Sequence, residues 1–329
     1  GIFSDRVDVS IRQDYMHEEY WNSSNVRDTT QQNLLNANVT NPFFIGNFAS
    51  LRTSDPDLYA RMTTNAFFTS STIQRHRLLR DYPQMSAGNG LVFANLPLGK
   101  TRANSLEASF TRRFANGFSL GANYIGTRLR ELTTVHEFDR EPWYWQGSQD
   151  GRPHRLLLNG LAHIPFGSGR KFLRDGGILA AIVGGWQVGA TYEYQPGQLL
   201  QWDSNVFFYG NLEDIAVDNP TKERWFNVDA GFERDPAKVP AAFQKRTFPF
   251  RVDGVREDRM QILNTNVMRV IPFNSGRRSL QLRVDVVNAL NDEQYNAPNL
   301  DPTSTQFGVV TNAQNSVGRW ITFMTKLTF

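Results

Sequence analysis

The chain has 329 residues, 35 Lys and Arg against 32 Asp and Glu, 24 Phe, 10 Tyr and 7 Trp, and no cysteine. This composition excludes a disulfide framework and a thiolate metal site, and it carries too many aromatic residues for a disordered chain. The net charge of +3 is too small to favour nucleic acid as a partner, and the apolar run 176–186 is too short for a membrane-spanning helix.

Residues 1–103 are predicted to form a long loop region without a strand comparable to those that follow. The alternation of Val7, Val9 and Ile11 is brief, and 14–41 is rich in Asn, Gln, Thr and Asp. A helix is predicted for 55–62, with Ser54 as its N-cap. Because so long an irregular segment is uncommon inside a compact domain, we expect it to lie outside, as an external lid over a wide barrel.

From residue 104 onward, seven segments alternate between apolar and polar residues, as half-buried strands do. They are 104–114, 118–130, 154–166, 185–195, 259–273, 279–290 and 318–329. Most are close to the 9–11 residues that a tilted strand needs to cross a bilayer. The pattern of 259–273 is weaker because Arg269 falls among the apolar positions, which suggests a bulge or a different register.

The connections between these segments alternate between short and long. The predicted short connections are 115–117, 167–180 and 274–278, and the long ones are 131–153, 196–258 and 291–317. Outer-membrane barrels have short periplasmic turns and long external loops. The sequence therefore predicts an all-β fold, in which 104–329 is an antiparallel transmembrane β-barrel segment of the bacterial outer membrane with the long loops external.

Seven strands do not close a single-chain bacterial barrel, which has an even number. An open edge in lipid leaves backbone groups unpaired, at a cost of several kcal/mol each. We therefore expect the chain to be the C-terminal part of a larger barrel. The alternative is that residues 5–15 supply an eighth strand and close a small barrel whose interior is filled by side chains.

Charged residues of both signs fall on the polar positions of the predicted strands, where they would line the lumen as a hydrated set of ion pairs. They are Glu107, Arg155, Glu193, Arg283, Asp285 and Lys326. Mixed signs argue against a simple anion-selective or cation-selective pore. At the C-terminus, Phe323, Leu327 and Phe329 share one side of the last strand, and we predict that barrel assembly reads this signal.

Trp143, Tyr144 and Trp145 lie in a predicted external loop and are the candidate ligand-binding residues. The alternative is that they pack against neighbouring loops or anchor the rim. No metal site or cofactor is predicted: His136-Glu137 has no second His at the spacing of a zinc helix. The residues Asp214, Asp218 and Asp229 lack the spacing of a calcium loop.

Several stretches resemble TonB-dependent receptors, in the Oar-like branch that carries an N-terminal carboxypeptidase-regulatory-like domain. They are Arg152-Pro153-His154-Arg155-Leu156, His163-Ile164-Pro165-Phe166-Gly167-Ser168-Gly169-Arg170, Gly184-Gly185-Trp186-Gln187, Tyr194-Gln195-Pro196-Gly197 and Leu282-Arg283-Val284-Asp285-Val286-Val287-Asn288-Ala289-Leu290-Asn291. Asn41-Pro42-Phe43, Leu78-Leu79-Arg80-Asp81-Tyr82-Pro83-Gln84 and the terminal Lys326-Leu327-Thr328-Phe329 are also similar. The resemblance extends over most of the chain.

The resemblance implies a 22-stranded barrel with an N-terminal plug, which imports a bulky ligand with energy from the TonB complex. The implied partners are outer-membrane lipid, the rest of the barrel with its plug, the TonB complex and the barrel assembly machinery. No enzymatic activity is expected. Two alternatives stay open: a barrel with a structural, surface-assembly or adhesion role and no transport, and an outer-membrane barrel hydrolase.

Overall fold

The structure is a computed structural model that describes residues 2–12, 20–80, 82–85, 92–133, 144–167, 170–203, 206–273, 278–312 and 318–329. Of residues 2–12, 85 and 92–98 it describes the backbone only. The β-strands in these ranges are β1 (Ile2–Arg12), β2 (Asn38–Thr40), β3 (Thr72–Gln74), β4 (Val92–Ala115), β5 (Phe118–Thr133), β6 (Tyr144–Gly147), β7 (His154–His163), β8 (Trp186–Gln195), β9 (Met260–Phe273), β10 (Arg278–Val287) and β11 (Trp320–Thr328).

Short helices interrupt the connections. The α-helices are α1 (Thr29–Asn36), α2 (Leu51–Ser54), α3 (Pro56–Thr63), α4 (Ala66–Thr69), α5 (Arg75–Leu78) and α6 (Ile178–Val183). Single 3-10 turns occur at Ile45–Phe48, Pro83–Met85 and Leu212–Asp214. None of the described helices combines the length and the apolar character needed to cross a membrane.

One large antiparallel sheet dominates the fold. Its strands follow the order β1-β4-β5-β7-β8-β9-β10-β11, and β6 pairs beside β7 with the upper part of β5. Antiparallel neighbours that follow one another in the chain place successive connections at opposite ends of the sheet. The turn end carries 116–117, 164–185 and 274–277, and the loop end carries 13–91, 134–153, 196–259 and 288–319. This arrangement confirms the predicted fold class.

The strand register sorts the side chains into two faces. Val188 pairs with Val267, Val267 pairs with Val284, and Val284 pairs with Phe323, so one apolar row crosses the sheet. We call this side, with all positions in phase with that row, the apolar face, and the other side the polar face. The register places the predicted apolar positions that lie within β5 and β7 to β11 on the apolar face, together with Leu106, Ala108 and Phe110 of β4. The β4–β5 register shifts beyond Arg112, before the predicted position Phe114.

The apolar face is uncovered. Leu106 is 68% exposed, Phe110 57% and Phe323 79%, and no second layer of structure packs on these side chains in the described residues. In water such a surface would be a strong liability, whereas in a barrel it is the surface that contacts acyl chains. The face therefore indicates a lipid environment for the sheet.

The predicted irregularity in 259–273 is wrong. The register of β9 with β8 and with β10 is continuous through Arg269, without a bulge. Arg269 lies on the apolar face near the turn end, and its Nη1 donates to the carbonyl oxygen of Ile182 at 2.8 Å. The guanidinium thus binds the free carbonyls at the end of α6 and is not left unpaired in an apolar setting.

The expectation that 1–103 contains no comparable strand is also wrong. β1 pairs with the first part of β4, which starts at Val92 and not near residue 104. The β1–β4 register shifts three times, and such bulges break the period of two that reveals a strand in a sequence. In the same region α3 was expected, but its N-cap is Asp55 and not Ser54, since the Asp55 side chain accepts from the Leu58 amide.

The connection between β7 and β8 also differs from expectation. It was predicted to be short, over 167–180, but it runs over 164–185 and includes α6. β7 ends at His163, just before Pro165, which has no N–H for the ladder. The turn end of the sheet therefore also carries one long connection, and loop length alone does not distinguish the two ends.

Of the residues 5–15 considered for an eighth strand, 5–12 belong to β1 in the main order, but the sheet does not close. β1 and β11 are the two edges, and the described residues show no pairing between them. The closed eight-stranded barrel is therefore not the arrangement observed. Each edge leaves a row of backbone donors and acceptors without a neighbouring strand.

Candidate functional site

Two ion pairs lie on the polar face. Arg155 Nη2 lies 2.8 Å from Glu193 Oε1 across β7 and β8, and Arg283 Nη2 lies 2.8 Å from Asp285 Oδ1 along β10. Glu107 and Lys326 fall on the same face by register. The six predicted charges therefore share one side of the sheet, and four of them form close pairs. That this side lines a water-filled lumen remains a prediction.

The loop end carries a folded unit built from the connections 196–259 and 288–319, which we call the loop module. Its core is apolar and mostly aromatic: Leu200, Trp202, Val206, Ile215, Trp225, Phe226, Phe232, Phe248, Val252, Val255 and Phe307. The Trp202 ring is 1% exposed and lies 4.9 Å from Phe226, 5.2 Å from Phe232 and 5.3 Å from Phe248, centroid to centroid. These loops therefore have a hydrophobic core of their own.

A buried arginine links several segments of the loop module. Arg246 is 8% exposed and donates to the carbonyl oxygens of Trp202 at 2.7 Å, Phe248 at 2.6 Å and Pro249 at 3.2 Å. Burial lowers its pKa to about 10, so it keeps its charge at neutral pH. A guanidinium suits this role because its five N–H donors reach several carbonyls at once.

A second arginine joins the loop module to the sheet. Arg251 forms an ion pair with Glu131 of β5, donates to the carbonyl of Gly147 in β6 at 3.2 Å and reaches the Gln201 side chain at 3.1 Å. Gln146 of β6 donates to the same Glu131 carboxylate at 3.2 Å. The module is therefore attached to the strand ends by charged hydrogen bonds as well as by its connecting chain.

Of the predicted aromatic residues, Tyr144 and Trp145 do not share one surface. Trp143 lies outside the described residues. Tyr144 pairs with Thr133 and Trp145 with Leu132, so their side chains point to opposite sides of β6. Both are half-buried, and the Trp145 ring lies against the guanidinium of Arg102 at 4.3 Å. These contacts support the alternative in which the two residues pack at the rim.

The N-terminal connection docks on the loop module. The Asn22 amide donates to the Phe243 carbonyl at 2.9 Å, and the Lys245 amide donates back to the Asn22 carbonyl at 2.7 Å. The side chain of Gln244 donates to the carbonyls of Ser24 at 3.3 Å and Val26 at 2.8 Å. Segments more than 200 residues apart in the chain thus build the same surface.

A cleft lies within the loop module, where its chain leaves β8 and enters β9. Pro196, Asp218, Trp225, Arg256 and Asp258 are among the residues that line it. Burial raises the pKa of Asp258, although its carboxylate accepts from the amide of Tyr295 at 2.9 Å. An aromatic ring beside charges of both signs is a suitable lining for a ligand that has apolar and polar parts.

The aspartates considered for calcium do not converge. Asp229 pairs with Arg224 at 3.4 Å, and Asp214 accepts from the Asn211 side chain at 3.3 Å. Throughout the described part of the chain, no group of three or more His, Asp or Glu side chains is placed to hold a metal ion. These aspartates act as ordinary surface partners within the loop module.

Sequence reasoning missed the loop module and its arginines. Trp202 and Phe307 belong to different connections, and a periodic pattern in the sequence does not predict a contact between them. One signal was present in the sequence: the connection 196–258 is rich in Phe and Trp, which solvated loops rarely are.

The sequence profile of a family described as "Outer membrane beta barrel domain" matches residues 9–322. The matched range extends from within β1 to within β11 and includes the loop module. Neither a curated protein nor a solved structure matches the chain.

Proposed function

Because this chain belongs to the outer membrane beta barrel domain family, we propose that it is the C-terminal barrel portion of an outer-membrane receptor that imports a bulky ligand with energy from the TonB complex. Its place in the bacterial outer membrane follows from the family itself. The finer proposal of TonB-dependent import draws on the motifs quoted above, such as 282–291.

The observation that carries the proposal is the folded loop module at one end of the sheet. Loops that bind ligands are useful when a rigid scaffold positions them. Here Trp202 and Arg246 order the loops internally, and Arg251 attaches them to Glu131 of the sheet. The cleft beside Trp225 and Asp258 lies within this ordered module. We propose that ligand capture occurs there, without catalysis.

The unpaired edges support a larger assembly. In a bilayer, the free backbone groups of β1 and β11 need strand partners. We propose that further strands of the same barrel, which also surround a plug, pair with these edges. The barrel assembly machinery would insert the protein, and TonB would act on the plug.

Transport is tested by comparing wild-type cells, cells that lack the gene and cells that lack TonB. All three are grown in one complex medium, and the compounds that disappear from the medium are measured by mass spectrometry. Import predicts compounds that only the wild type depletes, because both the receptor and its energy source are required. Identical depletion by all three strains would contradict the proposal.

The same experiment separates the alternatives. A hydrolase would release a cleavage product in cells without TonB but not in cells without the gene. A structural or adhesive role would leave the medium unchanged and alter cell aggregation or surface attachment in the deletion strain only.

A further inference from the structure

We infer that the apolar face carries, at the loop end of β4 and β5, a binding patch for the phosphate groups of an anionic membrane lipid. The patch consists of Lys100, Arg102, Arg128 and Arg130. The inference rests on the outer-membrane location and not on the proposed transport. Three observations support the inference: the strand register, the distribution of charged residues between the two faces, and the position of the patch at the border of the apolar band.

The register brings these four cations together. Arg102 of β4 is directly opposite Arg130 of β5, Lys100 is opposite Leu132, and Asn104 is opposite Arg128. All four cations have the parity of Leu106, so they project from the apolar face. Neighbouring strands lie about 4.8 Å apart. Like charges placed directly opposite each other destabilise a sheet unless an anion lies between them.

The strand carboxylates whose side chains the structure describes do not offset this charge from the same face. The described carboxylates within β4 to β11 are Glu107, Glu131, Glu193 and Asp285, and all four have the opposite parity. Glu131 pairs with Arg251 on that other side. From the loop module, Asp253 lies on the apolar-face side of Gly147 and lines one pocket with Arg128, Arg130 and Arg256. One carboxylate thus faces the four cations of the patch. The patch therefore stays cationic.

The patch is accessible and partly prearranged. Lys100, Arg102 and Arg128 are exposed, and Arg130 is half-buried. Arg130 Nη2 donates to the Trp145 carbonyl at 2.8 Å, and the Trp145 ring lies 4.3 Å from the Arg102 guanidinium. Trp is enriched where a barrel meets the polar headgroups, and guanidinium groups bind phosphate in a bidentate manner.

The height of the patch fits a headgroup layer. Along β4, the next apolar-face cation is Arg112, ten positions beyond Arg102. Ten residues extend about 33 Å along a strand, and a tilt of about 40° reduces this to about 25 Å across the membrane. That distance equals the usual height of the apolar band of an outer-membrane barrel, about 25 Å. Arg102 and Arg112 thus lie at its two borders.

The patch is local and not part of a continuous ring of cations. At the loop end of the apolar face, β7 presents His154, β8 presents Tyr194, β9 presents Gln261 and β10 presents Val286. Four positive charges on β4 and β5 thus contrast with these positions of β7 to β10, none of which is a lysine or an arginine. A lipid with one or more phosphates near this site is the ligand that such an arrangement fits.

The test measures lipid retention by the full chain purified in detergent. Native mass spectrometry follows the binding of phosphatidylglycerol and of phosphatidylcholine with the same acyl chains. We expect the wild type to retain phosphatidylglycerol preferentially, and this preference to fall with added salt. In Arg102→Gln/Arg128→Gln the apparent affinity for phosphatidylglycerol should drop by roughly tenfold or more.

Two further variants separate charge from folding. Arg102→Lys/Arg128→Lys keeps the charge and should keep most of the affinity. Arg224→Gln/Lys238→Gln removes the same charge from exposed sites of the loop module and should bind like the wild type. If the glutamine variant misfolds, Lys100→Gln alone tests the patch. Equal retention of both lipids by the wild type, or unchanged binding in the glutamine variant, would overturn the inference.

Discussion

Residues a few positions apart on one strand face different environments in this sheet, because successive side chains alternate between the apolar and the polar face. Val284 lies between Val267 and Phe323 in the apolar row. Three positions earlier, Gln281 lies on the polar face, where Lys326 is its partner on β11. A charge is therefore expected to be costly at Val284 and tolerated at Gln281.

We expect Val284→Lys to reduce the free energy of unfolding by about 2–4 kcal/mol, because acyl chains near the bilayer midplane do not hydrate an ammonium group. The measurement is urea unfolding of the protein in lipid vesicles, followed by tryptophan fluorescence. The matched comparison is Val188→Lys with Gln187→Lys in β8, and Gln281→Glu, which faces Lys326, is the polar-face control in β10. Equal losses in both members of a pair would reverse the assignment of the faces.

His76 is a residue whose charge state depends on its packing. Its Nε2 lies 3.1 Å from Gln74 Oε1, and Arg80 Nη2 lies 3.4 Å from its Nδ1. Because arginine only donates, Nδ1 accepts and the ring is neutral. The ring lies 5.1 Å from Phe243 of the loop module. Burial, followed by the charges of Arg80 and Arg77, lowers the pKa of His76 from 6.5 to about 4.

We expect the contact between the N-terminal connection and the loop module to weaken as the pH falls from 6.5 to 4. Between pH 6.5 and 4, His76 takes up a proton when the N-terminal connection is detached but stays neutral when it is docked. The contribution of His76 to the stability of this contact is therefore complete above pH 6.5 and is lost as the pH falls toward 4. Hydrogen exchange of the backbone amides of 20–80, corrected for the pH dependence of the intrinsic exchange rate, measures the effect over this range. The variant His76→Gln should show a flatter pH profile; an unchanged profile would exclude His76 as its cause.

At the scale of elements, strands could be predicted where the ladder is regular, and loops could not. The region from β5 to β11 shows unbroken registers in its long strands, so side chains keep a period of two that is visible in the sequence. β1 and the start of β4 were not predicted, because three register shifts interrupt the period of two in their sequences. The loop module was not predicted from the sequence, because contacts such as that of Trp202 with Phe307 join distant parts of the chain.

The loop module should loosen without loss of the barrel strands when its central ring is removed. We expect Trp202→Ala to cost about 3–5 kcal/mol of local stability, because it leaves a cavity among the surrounding Phe rings. Trypsin should then cut 206–258 faster, while heat-modified mobility in gels stays that of a folded barrel. Trp320→Ala, at a ring that is 63% exposed, is the control and should leave the trypsin rate unchanged.

The last strand should carry the assembly signal. Phe329 is 82% exposed, Phe323 79% and Leu327 47%, so packing within the described chain does not explain these apolar side chains. We expect Phe329→Ala to lower the amount of protein inserted in the outer membrane, measured by surface labelling of intact cells. Thr328→Ala is the neighbouring control, and equal surface amounts of Phe329→Ala and wild type would contradict the signal.

At the scale of the whole molecule, the two ends of the sheet should face different compartments. Lys238 and Arg224 at the loop end are 67% and 56% exposed, and Lys171 and Arg174 at the turn end are exposed as well. We expect trypsin added outside intact cells to cut within 20–80 or 206–258 and to spare 170–174. Broken cells provide the control, in which both ends are cut. Cleavage of intact cells at 170–174 alone would invert the orientation.

Because the loop module has a hydrophobic core of its own, its outer surface has a fixed shape for antibodies and phages. Antibodies or phages that recognise it encounter a fixed shape assembled from three distant stretches, with Asn22 beside Gln244 and Trp202 beside Phe307. We expect such recognition to be conformational: short linear peptides from 206–258 would not compete for it. Escape variants would then arise at exposed loop tips, since changes in the aromatic centre would disrupt the entire epitope.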